Sequence, residues 1–495
     1  MNPPTYPENQ NQNVQRSTFR ACLKTLGNRR VRARGLPDLA GKPVACRPDA
    51  LTGRVFKHAL NVERSTLSVE RWLPLPHSPF PIPYSLFFIR HSLFAILLLL
   101  LAPAARADTS WLDRLDDSLF LSTRDGTFRT DLSVLADLEL YSTGRRPPGL
   151  LFGSDPQSIN PRLSLFLDTR LGNHLYSLVQ FRWDRGFDPF AKPDGTARFD
   201  EYLLRYTPFT EPWLNLQAGK FATVFGQWVH RHDSWNNPFI NAPLPYENVF
   251  TITDKTAPKN ATAFLARRAS LDKKADWLTT LWGPSYTSGA SVFGRLQKLD
   301  YALEVKNASI SSRPTVWDAT DRNWSDPTVT ARLGTRPNAA WNLGASFSRG
   351  GYLISNPTLT LPAGRHTSDF PQTTIGTDLS YAWHHWQFWA EAIATRFAVP
   401  RVGDADTLSY FLEAKYKLTT SLFTALRWNQ QFFGKVPDGT GATQRWDQDA
   451  WRIDASLGWR IDRHLQTKLQ YSYTHQHGPL LQADQLLAAQ LTVKF

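Results

Sequence analysis

Two cysteines, Cys22 and Cys46, and one methionine, Met1, are all the sulfur in this chain of 495 residues. Beyond residue 46 there is no thiol, which excludes a disulfide scaffold and any zinc or iron–sulfur centre built on cysteine. Long apolar runs are equally scarce. The best, Leu93 to Ala102, has ten residues, half of the roughly 20 that a spanning helix needs. No P-loop, GxGxxG, CxxC or HExxH string occurs, so the sequence asks for no cofactor and no metal.

The formal charge of +13 would suggest nucleic acid if it were spread along the chain, but it is not. Residues 1–107 hold 15 of the 56 Lys/Arg and 5 of the 43 Asp/Glu, a net +10, which leaves only +3 for residues 108–495. A nucleic-acid partner is therefore not expected. The basic first fifth ends in an export label. Arg90, the apolar run and Ala105-Arg106-Ala107 read as the basic region, core and cleavage site of a signal peptide over 86–107. Residues 1–85, rich in Arg and Pro and without hydrophobic periodicity, read as a spurious or unstructured extension.

From residue 128 onward, alternation dominates. In "FRTDLSVLADLELY" Phe128, Leu132, Val134, Ala136, Leu138 and Leu140 share one face, and Arg129, Asp131, Ser133, Asp137 and Glu139 the other. Period two over a dozen residues is a strand longer than the usual five or six. Sixteen such segments can be marked between 128 and 495. Tight connections such as 172–174, 298–300, 384–386, 419–421 and 462–464 alternate with long Gly/Pro/Asp-rich ones such as 142–161, 350–372 and 434–449. An even number of alternating strands with short turns at one end and long loops at the other predicts an all-β fold, a transmembrane antiparallel up-and-down β-barrel. Closure leaves no sheet edge in lipid. A mean hydropathy of −0.37 then follows from every second side chain facing water. Residues 108–127 form a short periplasmic N-terminal segment, with Trp111, Leu112, Leu115 and Leu119 spaced for a short helix. The barrel proper spans 128–495.

Two stretches carry a resemblance. Leu487-x-Ala489-x-Leu491-x-Val493-x-Phe495 resembles the terminal strand by which outer-membrane proteins reach the barrel-assembly machinery, with Leu491, Val493 and Phe495 as the insertion signal. "LNLQAGKFATVFG" (214–226) resembles the phosphate-selective porin family and its β-barrel porin relatives. The resemblance implies a bacterial outer-membrane porin whose loop after the fifth strand, residues 222–287, folds into the lumen and narrows it.

That loop holds "HRHDSWNNPF" (230–239), the one string that would catch the eye of an enzymologist. Metal binding needs three or four converging ligands, and a Ser-His-Asp triad is a spatial arrangement that consecutive residues rarely make. The stretch reads instead as pore constriction, with His230, Arg231, His232, Asp233 and Trp235 joined by Arg267 and Arg268. Histidines titrating near pH 6.5 would add positive charge there as pH falls. The lumen face carries mixed charge: Arg129, Glu139, Arg170, Arg182, Arg295, Glu304, Arg332, Glu413, Lys415, Arg427, Arg452 and Asp454 stand out. The expected partners are outer-membrane lipid, the assembly machinery and small hydrophilic solutes or ions, with a homotrimer left open. The expected activity is passive diffusion, weakly anion-preferring at most. An outer-membrane lipase or protease, or a non-conducting structural barrel, is the alternative.

Overall fold

The computed structural model describes residues 110–144, 156–185, 195–270, 276–313, 323–357, 359–476 and 483–495, all within one compact unit. The expected extension (1–85) and signal peptide (86–107) lie outside the described residues.

Sixteen long strands form one antiparallel sheet that closes on itself. The first five are β1 (Phe128–Thr143), β2 (Gln157–Leu171), β3 (Leu175–Asp184), β4 (Thr196–Tyr206) and β5 (Asn215–Phe221). After the internal loop come β6 (Thr287–Leu296), β7 (Leu299–Lys306), β8 (Thr328–Thr335), β9 (Trp341–Gly351) and β10 (Pro371–Trp383). The rest are β11 (Trp386–Val399), β12 (Gly403–Lys417), β13 (Leu422–Phe433), β14 (Ala450–Arg460), β15 (Leu465–Gln476) and β16 (Ala483–Lys494). Closure is made by β16 against β1, from Leu486↔Thr143 to Lys494↔Leu135. The terminal Phe495 extends this ladder, its amide donating to Val134 O at 3.0 Å.

The alternation sets the register, because a slip of one residue would exchange every inward side chain for an outward one. Leu138, Leu204, Leu333, Ile375, Leu412, Leu426 and Leu457 are all exposed, at 40–57%. A belt of such side chains would be an aggregation surface in water and is the requirement in lipid. Aromatic pairs sit at its margins, among them Phe209–Trp213 (4.2 Å, stacked) at the short-turn end and Trp428–Trp451 (5.4 Å, stacked) toward the other. No helix of the described residues is long and apolar enough to cross a membrane; the strands do so.

The N-terminal segment does contain a helix, Ser110–Ser118, followed by a three-residue strand, Phe120–Ser122, paired with Arg129–Asp131. Leu112 is buried and Asp113 accepts from His464 Nε2 at 2.7 Å, tying the helix to the β14–β15 turn.

In two places the ladder departs from the alternation read in the sequence. Gln180 pairs with Glu201 but Phe181 pairs with Phe199, so Asp200 is an extra residue in a β-bulge. The bulge shifts the parity of β4 and turns Arg198 and Asp200 inward alongside Glu201. Between β11 and β12 the pairing continues to Val399↔Gly403 and leaves only residues 400–402 as the turn. Near this turn the inward side chains Phe397, Val399 and Ala405 are apolar. They face a hydrophobic cluster inside the barrel, not water.

Candidate functional site

The internal loop starts where β5 ends, and glycine permits its turn. Gly219 (φ +132) stands where a Cβ would lie 2.2 Å from Tyr202 O. Gly226 (φ +71) stands where one would lie 2.5 Å from the Tyr246 hydroxyl. Both conformations belong to glycine. Gly219 thus lets β5 pack close against β4 within the ladder, and Gly226 turns the chain once it has left the wall.

Carboxylates on three strands then receive the backbone of the entering segment. Glu201 on β4 accepts from Ala222 N (3.0 Å), and Glu304 on β7 from Thr223 Oγ1 (2.6 Å) and Val224 N (3.2 Å). Glu391 on β11 accepts from Gln227 N (2.8 Å) and Trp228 N (2.6 Å). Phe225 lies over Gly376 of β10, where a Cβ would come within 2.9 Å of its ring. Each carboxylate offsets the cost of burying free amides.

The opposite wall holds the loop by its carbonyls. Lys468 on β15 donates to Ser234 O (2.7 Å), Asn237 O (3.0 Å) and Phe239 O (3.1 Å). Arg427 on β13 reaches Asp454 (2.8 Å) and Asn241 Oδ1 (2.6 Å), with its guanidinium 4.2 Å over the Phe239 ring. Arg452 on β14 pairs with Asp454 at 2.9 Å and with Glu247 of the loop. Behind this lattice Phe225, Trp228, Tyr246, Phe250 and Phe264 pack with Phe397, Phe411 and Phe433 into an apolar core inside the barrel.

The constriction candidates separate into three groups. Arg231 makes a two-toothed ion pair with Glu413 of β12 (2.6 and 3.2 Å) and lies 4.4 Å over the Trp389 ring. His232 is locked between Val229 O and the Tyr286 hydroxyl, both 2.6 Å away. Asp233 is a turn residue accepting from Trp235 N and Asn236 N (2.9 Å each). Trp235 is buried beneath Arg460 and Lys494. His230, by contrast, is exposed to the lumen. Enclosure within the barrel lowers its imidazole to about 4, with the Arg332 guanidinium adding to the effect. Burial likewise lowers His232.

Arg267 and Arg268 are not brought together with these residues. Arg267 donates to Thr256 O (2.9 Å), and Arg268 to Arg445 O (2.9 Å) and Gln444 Oε1 (2.8 Å) in the loop after β13. Arg268 fastens the outer part of the internal loop to a neighbouring loop, and Arg267 braces the internal loop against itself.

Among the described residues no group of three or more His, Cys, Asp or Glu could hold a metal ion. The Ser234 hydroxyl has no hydrogen-bond partner among the described residues, and both nitrogens of His232 are engaged elsewhere.

Along the wall most of the remaining lumen charges pair. Arg162 meets Asp137 (3.0 Å) and Glu139; Arg182 and Arg198 share Asp184 (2.7 Å each) and Asp200 (3.3 and 2.7 Å). Arg332 pairs with Asp378 (2.6 Å), Arg295 with Asp300 (2.6 Å), and Arg129 with Asp131 (2.8 Å). Lys415 lies 4.3 Å over Phe423, and Arg170 stands on β2 facing Arg129 across the ladder. In every one of these ion pairs the guanidinium is the more accessible partner. Arg162, Arg182 and Arg198 are 18%, 11% and 16% exposed, whereas Asp137, Glu139, Asp184 and Asp200 are at 0–1%. Sequence reading misses Arg198 and Asp200. The signal for them was present, since charged residues of opposite parity flank the bulge.

No family model matches the chain, and no curated protein matches it in sequence. Solved structures match it in fold. The outer-membrane channel DcaP of Acinetobacter baumannii superposes with a TM-score of 0.50 at 10% identity, over 76% of this chain and 99% of that one. The anion-selective porin of Comamonas acidovorans gives 0.49 at 10%, over 74% and 100%. OmpF of Salmonella typhi, in complex with daunomycin, gives 0.48 at 11%, over 76% and 100%. The likeness is one of fold, a closed antiparallel β-barrel of the kind seen in the DcaP channel.

Proposed function

We propose that this barrel is a passive diffusion channel for small hydrophilic solutes, with a lining that makes it weakly anion-preferring. The carrying observation is that the lumen pairs present guanidinium to the water and keep carboxylate behind it, as on β2–β4. Summed charge there is close to balanced, so long-range steering is weak, while direct contact favours an anion. The internal loop supports the same reading, because a segment clamped by charge on both walls can set a fixed width.

A non-conducting structural barrel is the second reading, favoured by the apolar core that the loop forms inside the wall. Planar-bilayer recording separates the two. Discrete open-channel steps with a reversal potential on the anion side support the channel, and a silent bilayer containing folded protein supports the structural barrel. Silence together with a hydrolytic activity lost in Ser234→Ala would instead point to an enzyme.

A further inference from the structure

The outward face of β9–β12 carries a feature that solute passage does not use. Phe347, Ile375, Ala394, Leu408 and Phe432 stand in one cross-strand row of the lipid belt, given by the pairs Phe347↔Ile375, Ile375↔Ala394, Ala394↔Leu408 and Leu408↔Phe432. Two residues further toward the long loops, about 7 Å along the strands, the next outward row reads Arg349, Thr373, Arg396 and Asp406, paired in that order. Phe347, Ile375 and Leu408 are 41%, 55% and 46% exposed. The second row is therefore the first polar step out of the hydrocarbon, on the side of the long loops. That side of an outer-membrane barrel faces outward.

The two arginines differ in their company. Arg396 is held by Asp406 (2.7 and 3.0 Å) and Asp404 (3.2 Å). Arg349 is exposed, donates from Nη1 to Thr373 Oγ1 at 2.8 Å, and has no ion-pair partner among the described residues. Its charge lies at headgroup depth beside a hydroxyl, with the Arg396 guanidinium two strands away, about 10 Å by strand spacing.

We propose that Arg349, with Thr373 and Arg396 beside it, is a docking site for a phosphate-bearing headgroup of an outer-leaflet lipid. A planar guanidinium with free donors grips a phosphate by paired charge-assisted hydrogen bonds. The Thr373 hydroxyl adds a donor once Arg349 turns to the phosphate, and the acyl chains then run down over Phe347 and Ile375. The fixed negative charge of Asp404 and Asp406 beyond Arg396 confines the headgroup to the Arg349 side. This site is independent of whether the lumen conducts.

The test uses the full chain in phosphatidylcholine nanodiscs doped with bisphosphorylated lipid A or with its dephosphorylated counterpart, counting retained lipid by native mass spectrometry. Arg349→Ala should retain the phosphorylated lipid about tenfold less tightly, the loss of one strong charge-assisted contact. Arg349→Lys should keep most of the binding, and Lys435→Ala, which removes an exposed loop charge, should keep all of it. Dephosphorylated lipid should be indifferent to all three. Equal retention by wild type and Arg349→Ala would overturn the proposal. So would an equal loss in Lys435→Ala, or the same loss with the dephosphorylated lipid. Thermal unfolding of the Ala variant at the wild-type temperature shows that the reading is of binding and not of folding.

Discussion

Replacing Lys468 by methionine, which keeps the length of the side chain and removes its charge, should release the internal loop and leave the barrel closed. Lys468 is 1% exposed, and the three carbonyls it holds belong to Ser234, Asn237 and Phe239, themselves 6%, 3% and 0% exposed. Water cannot replace the ammonium without entering a packed interface. A buried acceptor left without a donor costs about 1–3 kcal/mol. The three share one donor and are not additive, so the loop anchorage should weaken by roughly 2–4 kcal/mol. None of this falls on the wall, because the backbone of β15 remains paired with β14 and β16. Chymotrypsin added to vesicle-reconstituted protein reads the difference. The wild type should resist cleavage after Trp235 and Phe239; Lys468→Met should be cut there while its far-ultraviolet circular dichroism stays unchanged. Channel recordings should become noisier as the loop moves. Equal protection of both proteins would refute the argument that these carbonyls depend on Lys468.

Leu457→Arg puts a charge among the lipid-facing side chains and should cost about 2–4 kcal/mol of barrel stability, measured by the heat-dependent shift in gel mobility. An unaffected barrel would mean that β14 does not face lipid at this position. Gly226→Ala must adopt a positive φ and displaces the Tyr246 hydroxyl from 2.5 Å, so it should lower the folded yield while Gly364→Ala, in an open turn, costs less. His230 has a depressed value, so the unfolded chain takes up its proton between about pH 6.5 and 4 while the folded barrel does not. Stability should therefore fall as pH drops through that window and level off below it, and His230→Ala should remove this component in acid-unfolding curves. The reversal potential should stay flat from pH 8 to 5 and shift only on approach to pH 4.

Most of the wall was legible because a strand between lipid and water writes its register in the sequence. Leu132, Leu138 and Leu457 could be placed outward, and Glu139, Arg427 and Asp454 inward, from parity alone. The reading fails where one of the two media changes. Inward Phe397 and Ala405 face apolar loop residues, so they look outward by parity of hydrophobicity. Arg198 and Asp200 are hidden by a bulge, which alters parity without altering composition. Site geometry was less legible still. That Arg231 would meet Glu413, or Lys468 the carbonyls of 234–239, depends on contacts between residues some 180 to 230 positions apart, and no local pattern encodes them. The same holds for Arg267 and Arg268, whose loop position was evident and whose distance from His230 was not.

The channel claim stands or falls on single-channel recording of the purified, refolded chain in a planar bilayer under a tenfold KCl gradient. The account predicts resolved conductance steps, with a modest reversal potential on the chloride side that moves toward cation preference in Arg162→Glu and Arg198→Glu. A folded barrel that inserts and stays silent, or one that conducts with a clear potassium preference unmoved by either substitution, would contradict it.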